Sequence, residues 1–217
     1  MTMSFSNNAK FITFEGIDGC GKSTQARMLL DSLNDTYSID SILVREPGGT
    51  SISESIREIL LHSNKGDLGD RSESLLMTAS RAQLTQDVII PNLELGKFVI
   101  ADRYSDSTLA YQGGGRGIDI DWLIDLNNYA TFALVPDITF LIDIRPEEAI
   151  RRLGLDQSTD RIEDEGIKFQ TRVRKMYHDL ADKFQDRYVL IDGHNSIDEI
   201  QEKLMNEIKR RGLLSCS

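Results

Sequence analysis

The 217-residue sequence contains only two cysteines and four prolines, and no apolar run approaches the roughly 20 residues that a transmembrane helix needs. The two cysteines, Cys20 and Cys216, do not form the disulfide framework of a small secreted domain, which favours a reducing, cytoplasmic location. The lack of long apolar runs argues against a membrane partner. Because 40% of the residues are hydrophobic, the chain is ordinary globular material rather than low-complexity sequence.

Basic residues are also in deficit, with 25 lysines and arginines against 35 aspartates and glutamates. The formal net charge of −10 argues against a nucleic-acid partner, which would favour a basic face. The length suits a single domain that buries a substantial core. We expect residues 1–9 to form a flexible polar tail and residues 10–214 to form that single domain.

One motif is present in full at residues 16–23, which read GIDGCGKS and match the phosphate-binding loop GxxxxGK[ST]. Strand-like residues 11–14 precede it, and apolar residues at helical spacing follow it. Lys22 is placed to reach the outer phosphates, and the Ser23 hydroxyl to hold Mg²⁺. The motif therefore predicts binding of a nucleoside triphosphate. The residues expected to bind it are Gly16, Ile17, Asp18, Gly19, Cys20, Gly21, Lys22, Ser23 and Thr24.

Short apolar runs alternate with helical segments along the chain. Their continuous hydrophobicity is typical of strands buried on both faces, so we predict an α/β fold, a parallel sheet wrapped by helices on both faces. Residues 72–93 are predicted to form one long helix. Ligands bind at the carboxyl edge of such sheets, where several of these runs end in charged residues. The five predicted strands are 11–15, 41–46, 98–103, 138–144 and 188–192.

The phosphate loop alone does not separate kinases, GTPases and motor ATPases. A regulatory GTPase carries an Asn-Lys-x-Asp guanine-binding sequence late in the chain, where this sequence has none. A motor ATPase usually ends its second acidic strand in Asp-Glu, whereas this chain has Asp102-Arg103. A small kinase needs arginines that form a second anionic site, and Arg57, Arg81 and Arg103 are candidates. Any one of them, taken alone, is better explained as a solvated surface residue.

Several linked motifs narrow the choice. They are REPGGT at residues 45–50, ASR at 79–81, DRY at 102–104, STLAYQG at 107–113 and DRIE at 160–163. Together with the loop they closely resemble the bacterial thymidylate kinases (dTMP kinases), from about residue 11 to residue 180.

The resemblance implies a five-stranded P-loop nucleoside-monophosphate-kinase fold with a short lid at about residues 151–161. It also implies that the chain phosphorylates dTMP to dTDP with ATP in dTTP biosynthesis. Mg²⁺ as cofactor, ATP and dTMP as binding partners, and a homodimer belong to the same expectation.

The resemblance also implies roles for individual residues. Lys22, Asp102 and Arg103 would be catalytic, and Ser23, Asp18 and Asp102 would form the metal site. Without the resemblance, Thr108 and Gln112 would be taken for helix-surface residues. The residues expected to bind dTMP are Asp18, Glu46, Arg57, Met77, Arg81, Arg103, Thr108, Tyr111 and Gln112.

The sequence departs from the family pattern at two places. The phosphate loop has no arginine, and residues 151–161 carry basic residues only at their ends. Our hypothesis is that Arg152 or Arg161 closes over the phosphates, the alternative being that Arg151 and Arg161 pair with nearby acidic residues. Met77 stands where the family usually has a phenylalanine stacked on thymine, although a helical methionine is also a common core residue.

These departures leave two other functions open at the level of sequence. One is a kinase for another nucleoside monophosphate or for a deoxynucleoside. The other is a nucleotide-binding protein without catalytic activity.

Overall fold

The computed structural model describes residue 5 and residues 8–63, 66–154 and 165–214. Within them, five strands form a single sheet in the order β2-β3-β1-β4-β5, and every neighbouring pair is parallel. The α/β prediction is confirmed, and each predicted strand end is right to within one residue. The strands are β1 (Lys10–Glu15), β2 (Ser41–Arg45), β3 (Phe98–Asp102), β4 (Ile138–Asp143) and β5 (Tyr188–Asp192).

Helices connect the strands on both sides of the sheet. Three wide π-helical segments, Ser32–Thr36, Thr85–Ile89 and Leu109–Gly115, continue α1, α3 and α5. No described helix combines the length and the apolar character that a bilayer crossing requires. The α-helices are α1 (Lys22–Asp31), α2 (Ser51–His62), α3 (Asp70–Leu84), α4 (Ile90–Glu94), α5 (Ser105–Thr108), α6 (Ile120–Ala130), α7 (Pro146–Leu153), α8 (Gly166–Lys183) and α9 (Ile197–Arg210).

The long helix predicted at 72–93 is not a regular α-helix throughout. It begins at Asp70 as α3, widens into the π-helical segment Thr85–Ile89 and ends as α4. Pro91 lies in the first turn of α4. Because proline has no N–H and its ring crowds the carbonyl four residues earlier, it cannot continue a regular α-helical ladder. The wider turn in front of Pro91 accommodates it.

Both faces of the sheet are buried. Phe11 and Ile12 are neighbours on β1, yet they are 1% and 0% exposed in two different hydrophobic clusters. The Ile12 cluster includes residues of α1, α6, α8 and α9, and the Phe11 cluster includes residues of α3 and α4. Phe5 packs against the latter. The rest of the predicted tail, residues 1–4 and 6–7, lies outside the described residues, so the tail and the single domain stay predictions.

Parallel strands bring all five carboxyl ends to one edge of the sheet. The phosphate loop follows β1 there, and Glu46 and Arg103 follow β2 and β3. Arg103 has a φ of 74°, the left-handed region that a non-glycine side chain rarely adopts. This strained turn starts the segment that leads into α5, and it directs Arg103 back across the end of β1.

Candidate active site

The phosphate loop fits closely against β4 and α7. Gly16 and Gly19 have φ values of 143° and 78°. A Cβ on Gly16 would lie 2.5 Å from the Ile142 carbonyl oxygen, and one on Gly19 would lie 2.6 Å from that of Ala149. Only glycine fits both positions, so the backbone forms a preformed cradle at the N-terminus of α1, where an anion is favoured.

Lys22 folds back over this cradle. Its side chain is buried, and its Nζ donates to the Ile17 carbonyl oxygen at 3.3 Å and lies 3.5 Å from Oδ1 of Asp18. The ammonium group therefore spans the loop at the place where outer phosphates would sit.

Ser23 and Asp102 meet beside the loop. The Ser23 hydroxyl donates to Oδ2 of Asp102 at 2.5 Å, whereas Oδ1 of Asp102 is buried with no hydrogen-bond partner among the described residues. A hydroxyl and a carboxylate with a spare acceptor are hard oxygen ligands, which Mg²⁺ uses together with phosphate oxygens and water. The described residues contain no group of three or more His, Cys, Asp or Glu side chains that would hold a metal alone. The donor set thus fits a metal that arrives with a triphosphate.

Asp18 pairs with Arg103 across the loop. Nη2 of Arg103 donates to Oδ1 of Asp18 and, at 3.0 Å, to the Tyr111 hydroxyl, which in turn donates to Oδ2 of Asp18 at 2.7 Å. Burial raises the pKa of Asp18, but the charges of Arg103 and Lys22 outweigh burial and hold that pKa below its ordinary value. Asp18 is therefore an anion between two cations.

Arg81 and Glu46 form a second pair, which is almost fully buried. Nε and Nη2 of Arg81 lie 2.7 and 2.6 Å from Oε2 of Glu46. Nη1 donates to Oγ1 of Thr108 at 2.8 Å and to Oδ1 of Asn127 at 2.6 Å, and Nη2 also donates to the Tyr104 carbonyl oxygen. Burial raises the pKa of Glu46 against the lowering effect of Arg81. Arg81 thus anchors the groups around it as well as lining the site.

These groups surround one cavity of about 230 Å³. It holds all nine residues expected to bind dTMP, and Lys22, Ser23 and Asp102 lie in the same wall. Sequence reasoning did not assign Arg45, Leu61 or Ser107, although Arg45 and Ser107 stand in the motifs at 45–50 and 107–113. The lining residues are Asp18, Lys22, Ser23, Arg45, Glu46, Pro47, Arg57, Leu61, Met77, Arg81, Asp102, Arg103, Ser107, Thr108, Tyr111 and Gln112.

Comparison with known proteins decides the family. The family model described as "Thymidylate kinase" matches residues 14–204. The chain belongs to the thymidylate kinase family.

Individual relatives agree with this assignment. A protein named thymidylate kinase from Kosmotoga olearia is 44% identical over 197 residues, which are 91% of this chain and 94% of that protein. The protein of the same name from Thermosipho africanus is 46% identical over 200 residues, 92% and 98% of the two chains. The crystal structure of thymidylate kinase from Ehrlichia chaffeensis matches with a TM-score of 0.76 and 36% identity, and it covers 93% of this chain and 98% of that one. The expected family and fold are confirmed.

Within this thymidylate kinase fold, the orientation of the Gln112 amide is fixed by a hydrogen bond to Glu73. Its Nε2 donates to Oε1 of Glu73 at 2.9 Å, and Arg116 donates to both oxygens of the same carboxylate at 3.2 and 3.1 Å. Both Glu73 and Gln112 are buried. Because the amide nitrogen is turned toward Glu73, the amide oxygen remains as the acceptor for a group in the cavity.

Arg152, one of the two arginines expected to close the site, does not line the cavity. Arg152 bonds to Glu148, with Nε at 3.0 Å, and its Nη2 donates to the Gly193 carbonyl oxygen at 2.9 Å. Arg151 pairs with the same Glu148 at 2.8 Å. This agrees with the alternative in which Arg151 pairs with a nearby acidic residue. Arg161 and most of the expected lid, residues 155–161, lie outside the described residues.

Cys20 fills the inside of the loop. It is 1% exposed, and its Sγ lies 2.8 Å from the position of a Cβ on Gly16. Burial raises the pKa of the thiol, although Lys22 acts in the opposite direction. The structure therefore favours a space-filling role over a reactive thiolate.

Proposed function

We propose that this chain phosphorylates dTMP to dTDP with ATP, as a step toward dTTP, and that Mg²⁺ is its cofactor. The observation that carries this proposal is the single cavity in which all nine residues expected to bind dTMP lie beside the phosphate loop. Family membership supports the same reaction. The two alternatives, a kinase for another acceptor and a nucleotide-binding protein without catalytic activity, have no comparable support.

The donor triphosphate would lie on the loop, with its outer phosphates at Lys22 and the N-terminus of α1. Ser23 and Asp102 would hold the Mg²⁺ that neutralises charge on the transferred group. The unpartnered Oδ1 of Asp102 supports this assignment, because it leaves one carboxylate oxygen available for a water of the metal shell.

The acceptor phosphate would be held by Arg103, with Arg57 and Arg81 around the acceptor pocket. A phosphate monoester is already largely a dianion at neutral pH, since its second pKa is about 6, so the reaction needs no strong general base. Catalysis then consists of positioning two anions and balancing their charge. The partly buried pair of Arg103 and Asp18 supports this, because it fixes the guanidinium beside the loop.

The pocket also offers contacts for the base and the sugar. The Gln112 amide oxygen would accept the N3–H group of thymine, and Thr108 would form a second hydrogen bond. Met77 would lie against the base. The Tyr111 ring, held by Asp18 and Arg103, would crowd the 2′ position of a ribose and so favour deoxyribose.

We retain Arg152 and Arg161 as candidates for the arginine that closes over the phosphates. An arginine of this kind contributes about 10³ to 10⁵ in rate in related phosphoryl transfers. Near-normal turnover in both Arg152→Ala and Arg161→Ala would overturn the assignment.

A homodimer in the cytoplasm completes the proposal. Ile52 and Ile59 on α2 and Leu75 on α3 are large apolar side chains that the single chain leaves exposed, which supports a subunit contact there. A buried free thiol at Cys20 suits a reducing compartment. Sedimentation equilibrium of the purified chain tests the dimer.

A coupled ADP-release assay tests the reaction, with dTMP, dUMP, UMP, CMP and AMP as acceptors at equal concentration. Selective turnover of dTMP is expected. Lys22→Ala, which removes the only lysine of the loop, should abolish turnover while leaving the fold intact. Preference for another acceptor would mean a different monophosphate kinase, and ATP binding without turnover of any acceptor would mean a non-catalytic protein.

A further inference from the structure

Glu15, the last residue of β1, is a fully buried carboxylate that the reaction described above does not use. Its Oε1 accepts the Tyr104 N–H at 2.8 Å. Its Oε2 accepts the hydroxyls of Ser107 at 2.6 Å and Tyr177 at 2.8 Å. All three donors are neutral. Burying a carboxylate is costly, so a group kept here without a direct positive partner invites a functional explanation.

Each of the two hydroxyls lies between Glu15 and Arg103. Nη1 of Arg103 donates to Oγ of Ser107 at 3.1 Å and toward the Tyr177 hydroxyl oxygen at 3.4 Å. A hydroxyl has one hydrogen and two lone pairs. Because both hydroxyls donate to an ionised Glu15, both oxygens turn their lone pairs toward the guanidinium and toward each other, at an oxygen–oxygen distance of 2.9 Å. An ionised Glu15 thus sets the direction of two of the bonds to Arg103, beside those that Arg103 makes to Asp18, Tyr111 and the Gly16 carbonyl oxygen.

Glu15 also acts on the backbone. Glu15 accepts the N–H of Tyr104, which directly follows Arg103 in the chain. The φ of Arg103 is 74°. Such a conformation persists only where the surroundings hold it in place. The Glu15 carboxylate therefore supports both the backbone turn at Arg103 and, through the two hydroxyls, the Arg103 side chain.

We propose that Glu15 is a positioning residue for the phosphoryl-transfer site: through Ser107, Tyr177 and the Tyr104 amide it holds Arg103 toward the acceptor phosphate. This inference rests on the proposed function, since it assumes that Arg103 binds the acceptor. It involves no contact between Glu15 and either substrate.

Glu15→Gln is the decisive substitution, because the amide keeps the size of the side chain but reverses its chemistry. The amide oxygen still accepts the Tyr104 N–H, whereas the amide nitrogen donates to the hydroxyls. Their hydrogens then point at Arg103, which already carries only donors. At pH 8, where Glu15 is ionised, we expect kcat/KM for dTMP to fall at least about tenfold, with KM for dTMP raised and KM for ATP changed less than about twofold. Glu15→Asp, which keeps the charge, should retain more activity than Glu15→Gln.

A double-mutant cycle separates positioning from general damage to the fold. In an Arg103→Lys background the effect of Glu15→Gln should shrink to less than about threefold, because the guanidinium it positions is gone. The same tenfold effect in both backgrounds, or unaltered kinetics in Glu15→Gln, would overturn the inference. Asp137→Asn is the matched control: this exposed carboxylate accepts the Phe11 N–H at 2.7 Å at the opposite edge of the sheet. It should leave both KM values unchanged.

Should Glu15→Gln not fold, Ser107→Ala applies the same criterion in the wild-type and Arg103→Lys backgrounds, since it removes one link between Glu15 and Arg103. Thermal unfolding identifies which variants fold. If the wild-type chain itself does not turn over dTMP, the proposed function is wrong. If the wild type is active and the cycle shows no coupling, only the positioning role of Glu15 is wrong.

Discussion

Asp18 of the phosphate loop and Arg103 after β3 form an ion pair that joins the proposed triphosphate side of the cavity to the proposed acceptor side. Tyr111 bonds to both partners, so three groups from three parts of the chain fix one another. The pair explains how a loop without an arginine still has a guanidinium beside it: Arg103 is supplied from the neighbouring strand.

Asp18→Asn should disturb this arrangement without changing the size of the side chain. The amide cannot balance the charge of Arg103, so we expect kcat/KM for dTMP to fall at least about tenfold, in line with the loss of a charged hydrogen bond. Asp143→Asn is the control, because Asp143 also binds an arginine, Arg174 at 2.7 Å, but does not line the cavity. Steady-state kinetics with both variants checks this. Equal losses in the two would contradict a specific role for Asp18.

Glu73 should control which bases the site accepts. It holds the Gln112 amide nitrogen and so leaves an oxygen to face a base that carries N3–H, which thymine has and cytosine lacks. In Glu73→Gln the amide of Gln112 loses this restraint and can present its nitrogen to cytosine. We expect the ratio of kcat/KM for dTMP over dCMP to fall about tenfold, the size of one hydrogen-bond difference.

Glu165→Gln provides the control for this prediction. Glu165 binds Nη1 of Arg116, the arginine that also binds Glu73, but it has no bond to Gln112. The ratio should stay unchanged in Glu165→Gln. A fall of the same size in both variants would mean that Arg116, rather than the orientation of the amide, sets the preference.

The strands and the phosphate loop were predictable because their signals are local. Continuous apolar runs mark the five buried strands, and GIDGCGKS at residues 16–23 specifies both a backbone shape and a lysine. Glu15 and Tyr177 carry no such signal. The Tyr177 ring is buried at 1% exposure, and the partner of its hydroxyl lies 162 residues away on β1. Only the fold brings such partners together.

The same limit applies to the wide turn before Pro91 and to the network behind Gln112. Proline signals an interruption, but it does not by itself distinguish a kink, a helix end or a π-helical turn. Glu73 and Arg116 are 43 residues apart in the sequence, and each alone looks like a charged helix-surface residue. Their pairing arises only in the fold, which brings α3 next to the residue that follows the segment Leu109–Gly115.

The stability of the folded chain should respond to pH through Glu15. Its pKa is raised from the ordinary value of 4.5 to about 7, chiefly by burial and then by the charge of Asp106, while the Ser107 hydroxyl and the charge of Arg103 act in the opposite direction. Between these two values the folded chain binds a proton that the unfolded chain has released. This group's contribution to stability is therefore lost as the pH increases from about 4.5 to about 7. The charged or titratable groups that face Glu15 are Arg103, Asp106, Tyr177, Arg187 and Tyr188.

Urea unfolding at pH 5, 6, 7 and 8 measures this contribution when wild type and Glu15→Gln are compared. The amide does not titrate, so the stability of the wild type relative to the variant should decrease from pH 5 to about pH 7 and level off toward pH 8. Taking the difference in unfolding free energy between the two proteins cancels the contributions of the other titrating groups, which they share. A constant difference across this range would contradict the raised pKa of Glu15.

Met77 is a position at which a substitution should increase the affinity for dTMP. It lines the cavity where the family pattern has a phenylalanine, and a thioether offers apolar contact to thymine but no ring stacking. Stacking of a base on an aromatic side chain contributes about 1 to 3 kcal/mol. Since methionine already supplies part of the apolar contact, we expect Met77→Phe to lower the Kd for dTMP about three- to tenfold.

Titration calorimetry with dTMP measures this effect, and Met77→Leu is the control because it keeps an apolar side chain without a ring. The leucine variant should bind dTMP no more tightly than the wild type. Thermal unfolding of both variants distinguishes a change in the site from a change in packing, because Met77 also packs against the main hydrophobic cluster. If Met77→Phe alters the melting temperature but not the Kd, Met77 does not lie under the base, and the aromatic position of the family has no counterpart in this chain.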